Sequence, residues 1–442
     1  MQKALCMFLF SCVLALTACG GSASSSSPRA LAASAPLPTG LSLTDLVSNN
    51  TSAASSFRTQ RNGNIEPKNV SKVSVRSQLN VPASTRIYAH LMVWFGTSRH
   101  MDVGYNSADP KQVHRQLDDM QSRGIQGAIV DWYGTDPSHQ HEETATAAVM
   151  EDASQRNDFQ FAIMEDGNGG PLVCAKKPGC SITKQVISDV KHIARKYQGS
   201  HAYMTIGGRP VVFFFGLEIY PVDWNAVRAA VGKDQVFIFR NAVGFQYPQT
   251  NGGFGWVNIT PGNPQDWGQN YLDSFYAAGL EHADHTVIGS AYKGFNDTIS
   301  GWSQRRVVNQ KCGQTWLKTL DEIGKFYSQS SQLAGIQLVT WNDYEEGTEI
   351  ESGIDNCVSV RARATGGSIQ WTLQGDEGTV DHYEIWSTTN GEHMHALASV
   401  PAGTRSFDVA GNGIKPGTGH SILVQAVGKP SLRNQISGAV KF

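Results

Sequence analysis

At 442 residues, 40% hydrophobic and 17% charged, the chain has a globular composition, room for a large core and a length that suggests roughly two to three domains. A formal net charge of -2, with no basic run longer than Lys176-Lys177, excludes the electrostatic footprint of a nucleic-acid binder and of a protein held to an acidic membrane surface by charge.

Residues 1–18 read as an export leader. Lys3 supplies the positive start and Leu5 to Leu16 the apolar stretch, which is too short for a spanning helix. Leu16-Thr17-Ala18-Cys19 resembles a bacterial lipobox. That resemblance implies lipid on Cys19, and Gly20 in place of Asp implies the outer membrane of a Gram-negative cell, facing either side, with lipid as the sole membrane contact. Residues 19–82, rich in Ser, Ala, Asn and Pro, read as a disordered tether. With Cys6 and Cys12 in the leader and Cys19 lipidated, Cys174, Cys180, Cys312 and Cys357 remain. An even number in an exported protein predicts two disulfides with three connectivities. The short separation favours Cys174 with Cys180, leaving Cys312 for Cys357. Zinc is the competing use of these cysteines, but no Cys-x-x-Cys spacing supports it.

From residue 83 to 357, short apolar runs alternate with amphipathic stretches. The runs are 87–95, 127–130, 159–164, 210–215, 236–239, 253–257, 285–290 and 336–339. Nearly continuous apolar strands suit a parallel sheet covered on both faces. Helices are predicted over 109–123, 141–155, 183–197, 223–231 and 315–328. The first has a cap and first turn at Ser107-Ala108-Asp109-Pro110 and stops before Gly124. Eight strands with intervening helices predict a (β/α)8 TIM barrel. An open doubly wound sheet is the alternative, disfavoured because no Gly-rich phosphate turn follows the first strand. From residue 358 to 442 the period becomes two, in 358–363, 368–373, 382–386 and 421–427, which predicts a small all-β sandwich.

Catalytic groups of a barrel lie at the C-terminal ends of its strands. Here those ends carry Trp94, Asp131-Trp132-Tyr133, Glu165-Asp166, Glu218, Arg240-Asn241, Trp256 with Asn258, and Tyr292-Lys293. The last strand stops on Trp341-Asn342-Asp343-Tyr344-Glu345-Glu346-Gly347-Thr348-Glu349-Ile350-Glu351, with five carboxylates in nine residues. Crowded carboxylates push their pKa values apart, as a two-carboxylate acid and base reaction needs. Amides and Arg can fix sugar hydroxyls, and aromatic faces can stack on a sugar ring. The reading is a sugar-cleaving site built on this acid cluster. Trp94, Asp131, Trp132, Glu165, Asp166, Asn241, Trp256, Tyr292, Trp341, Asn342 and Glu345 are expected on the substrate. No cofactor or metal is called for, and a monomer is expected.

Two resemblances sharpen this. Trp341-Asn342-Asp343-Tyr344 followed by Glu346 resembles the Trp-Asn-Asp-Tyr-Gly-Glu-Ser motif of family 71 glycoside hydrolases, the α-1,3-glucanases. Asn342 to Glu351 is similar to the Asn-Glu-Trp-His-Glu-Gly-Thr-Gln-Ile-Glu motif of family 99, the endo-α-mannosidases and mannanases, which are (β/α)8 barrels. The resemblance to family 99 implies that Asp343 draws a proton from the sugar 2-hydroxyl, which attacks the anomeric carbon, while Glu346 serves as general acid and then base. Asp343 is one methylene shorter than the family 99 Glu, and Glu345 stands where these motifs have His or Gly. Ile414 to Val424 resembles the fibronectin type III segment that leads to a corner tyrosine, with His420 in the tyrosine's place; a spacer is expected.

Two further readings belong to other classes: a surface lipoprotein that binds glycan on an inactive barrel, and a metal-dependent polysaccharide deacetylase. The histidines of His139-Gln140-His141-Glu142 and His282-Ala283-Asp284-His285 lack the His-Glu-x-x-His spacing of a zinc helix and read as solvated or helix-end residues.

Overall fold

The computed structural model describes residues 69–442; the leader, Cys19 and the tether up to residue 68 lie outside the described residues. All eight apolar runs form strands: β1 (Arg86–Met92), β2 (Gly127–Trp132), β3 (Gln160–Asp166), β4 (Arg209–Phe215), β5 (Val236–Arg240), β6 (Gly252–Phe254), β7 (Thr286–Tyr292) and β8 (Gly335–Val339). They pair in parallel in the order β3-β2-β1-β8-β7-β6-β5-β4. The pairing of β3 with β4, from Ile163 opposite Val212 to Asp166 opposite Phe215, closes the circle. The fold is a (β/α)8 barrel, and closure excludes the open sheet.

The helices are α1 (Pro110–Ser122), α2 (Gln140–Ser154), α3 (Gly170–Ala175), α4 (Ile182–Lys196), α5 (Trp224–Val231), α6 (Gln269–Glu281) and α7 (Gln314–Phe326). Sequence chemistry sets where several begin. Asp109, Ser181 and Asp223 each accept a backbone N–H of the first turn, from Lys111, Lys184 and Ala226. Such a cap stabilises by about 1 kcal/mol. α1 turns Val113, Leu117 and Met120 onto the barrel at helical spacing. A 3₁₀ turn, Ala242–Gln246, replaces a helix between β5 and β6. Among the described residues, no helix is long and apolar enough to cross a membrane.

The ordered body begins earlier than residue 83. Val75 and Val81 are buried in the barrel core, and Arg76 donates to the Pro82 and Thr85 carbonyls. The stretch 69–82 is therefore part of the fold, because its few apolar side chains cover the N-terminal end of the barrel.

Both expected disulfides form, Cys174 with Cys180 and Cys312 with Cys357. Beyond the second, residues 359–441 make separate antiparallel sheets. One joins β9 (Ser359–Thr365), β10 (Ser368–Gln374) and β13 (Ser406–Asp408); the other joins β11 (Val380–Thr388), β12 (His395–Pro401) and β14 (Ser421–Gly428) with two short C-terminal strands. Their inner faces meet at Val360, Ile369, Trp371, Tyr383, Ile385, Ile422 and Val424. The sandwich is sealed to the barrel by residues 430–434. Leu432 is fully buried within the barrel core cluster, Trp316 of α7 donates its indole N–H to the Pro430 carbonyl at 2.9 Å, and Ile354 and Leu432 form a β-bridge.

Candidate active site

The ends of the barrel strands surround a cavity of about 640 Å³. Of the expected residues, Asp343, Glu346, Trp94, Asp131, Asp166, Trp256 and Glu345 line it. The others do not, and strand geometry explains most of them. Neighbouring strand residues point to opposite faces, so only one of each adjacent pair can enter the mouth.

On β2, Asp131 faces inward, while Trp132 lies against the helices, donating to Glu143 of α2 at 2.7 Å and stacking on His192 of α4. On β3, Asp166 faces inward, while Glu165 is buried toward Asp189 of α4, and burial together with that neighbour raises its pKa. Asn241 accepts the Tyr271 hydroxyl, and the Tyr292 hydroxyl donates to the Trp267 carbonyl. Trp341 is buried beneath the Arg123 guanidinium, which donates to the Ile350 and Glu351 carbonyls at 2.7 Å each. Asn342 is structural: its Oδ1 accepts the Met92 N–H, and its Nδ2 donates to the Met92 carbonyl, both at 2.9 Å.

The five acids of the motif also divide. Glu349 takes Lys293 Nζ at 2.7 Å in a buried ion pair, so Lys293 is not free for substrate. Glu351 accepts the hydroxyls of Tyr105 and Tyr344 and the Gln116 amide; burial pushes its carboxyl up to about 7. Asp343, Glu345 and Glu346 reach the cavity.

Asp343 Oδ1 accepts the backbone N–H groups of Glu345 at 3.1 Å and Glu346 at 2.9 Å, which fixes its carboxylate at the foot of the turn. Glu346 sits on that turn, its carbonyl accepting the Asn296 N–H at 2.6 Å. Gly347 follows at φ +62°, with its bare Cα pressed on the Asn296 backbone, a place where a side chain has neither the conformation nor the space. Glu345 spends both oxygens on the loop after β1, holding His100 Nδ1 at 2.9 Å and the Met101 N–H at 3.0 Å. That hold lays the His100 ring on Trp94, at 4.9 Å between centroids and 15° between planes.

Five carboxyl groups line the cavity (Asp131, Asp166, Asp343, Glu345, Glu346) against two guanidinium groups, Arg240 and Arg306. Burial raises the pKa of Asp343 well above the usual carboxylate range, with Glu346 and Glu345 adding to it. Burial pushes Glu346 up to about 8; Arg306 opposes this, and Asp297, Asp166 and Asp131 reinforce it. The pKa values of Asp131 and Asp166 are likewise raised well above the usual carboxylate range, mainly by burial. Behind Asp131 lies His90, which burial keeps neutral, its pKa lowered to about 3. Trp256 packs edge-on to His90 and Phe215. Glu218 pairs with Arg240, whose guanidinium lies over Phe215.

His100, Asn168, Trp302, Gln304 and Arg306 line the cavity without having been expected there. All come from loops, where no periodicity marks which side chain turns inward. For His100 and Asn168 the one signal was position shortly after a strand end, and Trp302, Gln304 and Arg306, deep in the loop after β7, had none.

The histidines of the first group stand at a helix end, as expected: His139 is the N-cap of α2, buried against Tyr133, and His141, in the first turn, bonds the Phe95 carbonyl. His282 ends α6, and with Asp284 and His285 it places ligand atoms within 4.8 Å of one another outside the cavity.

No protein-family model matches the chain, and no curated protein matches it. Among solved structures, the chain is similar to the GH99 endo-alpha-mannosidase from Bacteroides thetaiotaomicron in complex with bis-tris propane, at 17% identity over 60% of this chain and 86% of that one, with a TM-score of 0.47. A further structure of the GH99 endo-alpha-mannosidase from that organism gives 16% identity over 60% and 87%, with a TM-score of 0.46. Pectate lyase PelI from Erwinia chrysanthemi with tetragalacturonic acid matches 19% of this chain and 27% of that one at 21% identity and a TM-score of 0.16.

Proposed function

We propose that the chain is a glycoside hydrolase that cuts α-linked polysaccharide, α-mannan or α-glucan, within the chain. The observation that carries this reading is the acid pair. Two carboxyl groups share one turn at the end of β8 and one cavity, and their environment keeps a proton on the pair at neutral pH. The two amide N–H groups on Asp343 favour its anion, which supports Glu346 as the member of the pair that donates the proton.

The residues then divide the reaction. Glu346 gives its proton to the glycosidic oxygen as the bond from that oxygen to the anomeric carbon breaks. Asp343 takes the proton of the 2-hydroxyl, whose oxygen closes on the anomeric carbon. In the second half Glu346, now ionised, takes a proton from water as the water oxygen attacks that carbon, and Asp343 returns its proton to the 2-oxygen. Trp94 stacked on His100, and Trp256, offer aromatic faces to the ring. The lipobox-like tetrad supports an exported, lipid-anchored enzyme, with the C-terminal sandwich as a fibronectin type III-like spacer.

The test is a screen of purified protein against α-mannan, α-1,3-glucan and mixed α-glycans, with the Glu346→Gln variant beside it. Reducing ends released by the wild type and not by the variant support the reading. Retention of a glycan on a column without product would instead make the barrel a binder.

A further inference from the structure

Trp302 is 49% exposed, one of four large apolar side chains left in solvent among the described residues, with Ile219, Val243 and Leu280. Of the four, only Trp302 lines the cavity. Its loop is not loose. Phe295–Asn296 and Val307–Val308 pair as a short antiparallel ladder at its base. Inside the loop, the fully buried Asp297 carboxylate accepts the Ser303 hydroxyl, the Gln304 N–H, and the Arg306 backbone and side-chain N–H groups. The Ser300 hydroxyl donates to the Glu345 carbonyl, which ties the loop to the acidic motif. A fold that secures a loop this firmly while leaving an indole in water gains no burial from that residue, and an exposed aromatic face on a rigid support loses little freedom when something stacks on it.

We propose that Trp302 is a platform for the apolar face of a sugar ring beyond the one being cleaved, and that it makes the enzyme prefer polymer over short glycosides. The inference rests on the reading of the site as an α-glycan hydrolase. Asp343 and Glu346 lie on the β8 turn, whereas Trp302 stands on a separate loop lining the same cavity with half its surface in solvent, so a glycan chain held at the acids can extend a further ring over it. Stacking on a single aromatic face is worth roughly two- to ten-fold in binding.

The experiment compares wild type, Trp302→Ala and Trp302→Phe on yeast α-mannan and fungal α-1,3-glucan against an aryl α-disaccharide of the same sugar. Thermal unfolding confirms that each variant is folded. The ratio of kcat/KM on polymer to kcat/KM on the short substrate is expected to fall roughly two- to ten-fold in Trp302→Ala and to recover largely in Trp302→Phe. Affinity electrophoresis in polysaccharide gels, run on Glu346→Gln with and without Trp302→Ala, should show the same loss of polymer retention without any turnover. An unmoved ratio, or equal loss on both substrates, overturns the platform while the hydrolase reading stands if Glu346→Gln is inactive. Neither cleavage nor retention of any glycan by the wild type overturns both.

Discussion

Glu346→Gln keeps the shape of the side chain and removes its proton, which makes it the sharpest perturbation of the pair. With a carboxyl pushed up to about 8, Glu346 at pH 7 is protonated in roughly ten molecules for each one ionised. Activity that needs this proton should hold below about pH 8 and fall roughly tenfold per pH unit above it. The variant should lose about 10²–10⁴-fold on ordinary glycosides, or about 3–5 kcal/mol of transition-state stabilisation, with a milder loss on aryl substrates whose leaving group needs no proton. Asp343→Asn should cripple both substrate types, since its role does not depend on the leaving group. Stability supplies an independent readout. A carboxyl whose folded pKa is raised contributes stability that is full below its unfolded value and is lost as pH rises through the folded one. The wild-type Tm should therefore fall relative to Glu346→Gln as pH climbs from about 5 to 9. The assay is kcat/KM against pH for both proteins, with parallel thermal melts. If Glu346→Gln stays near wild type while Glu345→Gln is inactive, the proton belongs to Glu345 and the assignment fails.

Three further outcomes test the surrounding structure. Leu432→Ala empties a socket inside the barrel core and should cost about 2–5 kcal/mol of stability by chemical denaturation; a cost below about 1 kcal/mol would show that the sandwich does not brace the barrel. Cys312 and Cys357 are separated by 45 residues, so replacing both by Ser should cost about 4 kcal/mol on chain-entropy grounds, with no free thiol detectable by alkylation in the native protein. Cys19→Ala should release the protein from membrane fractions; unchanged association would refute the lipid anchor.

The barrel was legible because each strand is a nearly continuous apolar run, such as Val211 to Phe214, and because Asp109, Ser181 and Asp223 mark helix starts. Helix α6 escaped notice although Leu272, Phe275, Tyr276 and Gly279 follow helical spacing, since Gly268 opens it without a side-chain cap. At the site, the acids of the β8 turn were readable from their crowding. Which member of Asp131-Trp132 or Glu165-Asp166 faces inward was not, because an apolar run gives no contrast from which to set the phase of the alternation. His100 and Arg306 were hidden for a different reason. Their places depend on Glu345, remote from His100 in the chain, and on Asp297, across an irregular loop from Arg306, and no periodic pattern connects either pair.

The Asn342 side chain deserves to be seen as a surrogate peptide. It offers Met92 one acceptor and one donor at equal distance, as a facing strand residue would, and so extends the β1–β8 ladder past the point where the backbone turns away. A carboxylate lacks the donor, a hydrocarbon lacks both groups, a hydroxyl carries donor and acceptor on one atom and cannot span the two Met92 groups, and Gln carries the amide one methylene too far. Geometry and reactivity are thereby assigned to successive letters of the chain, with Asn342 locating the turn and Asp343 using it. The acids beyond Asn342 can therefore change without moving the turn, so long as this amide keeps its two bonds to Met92.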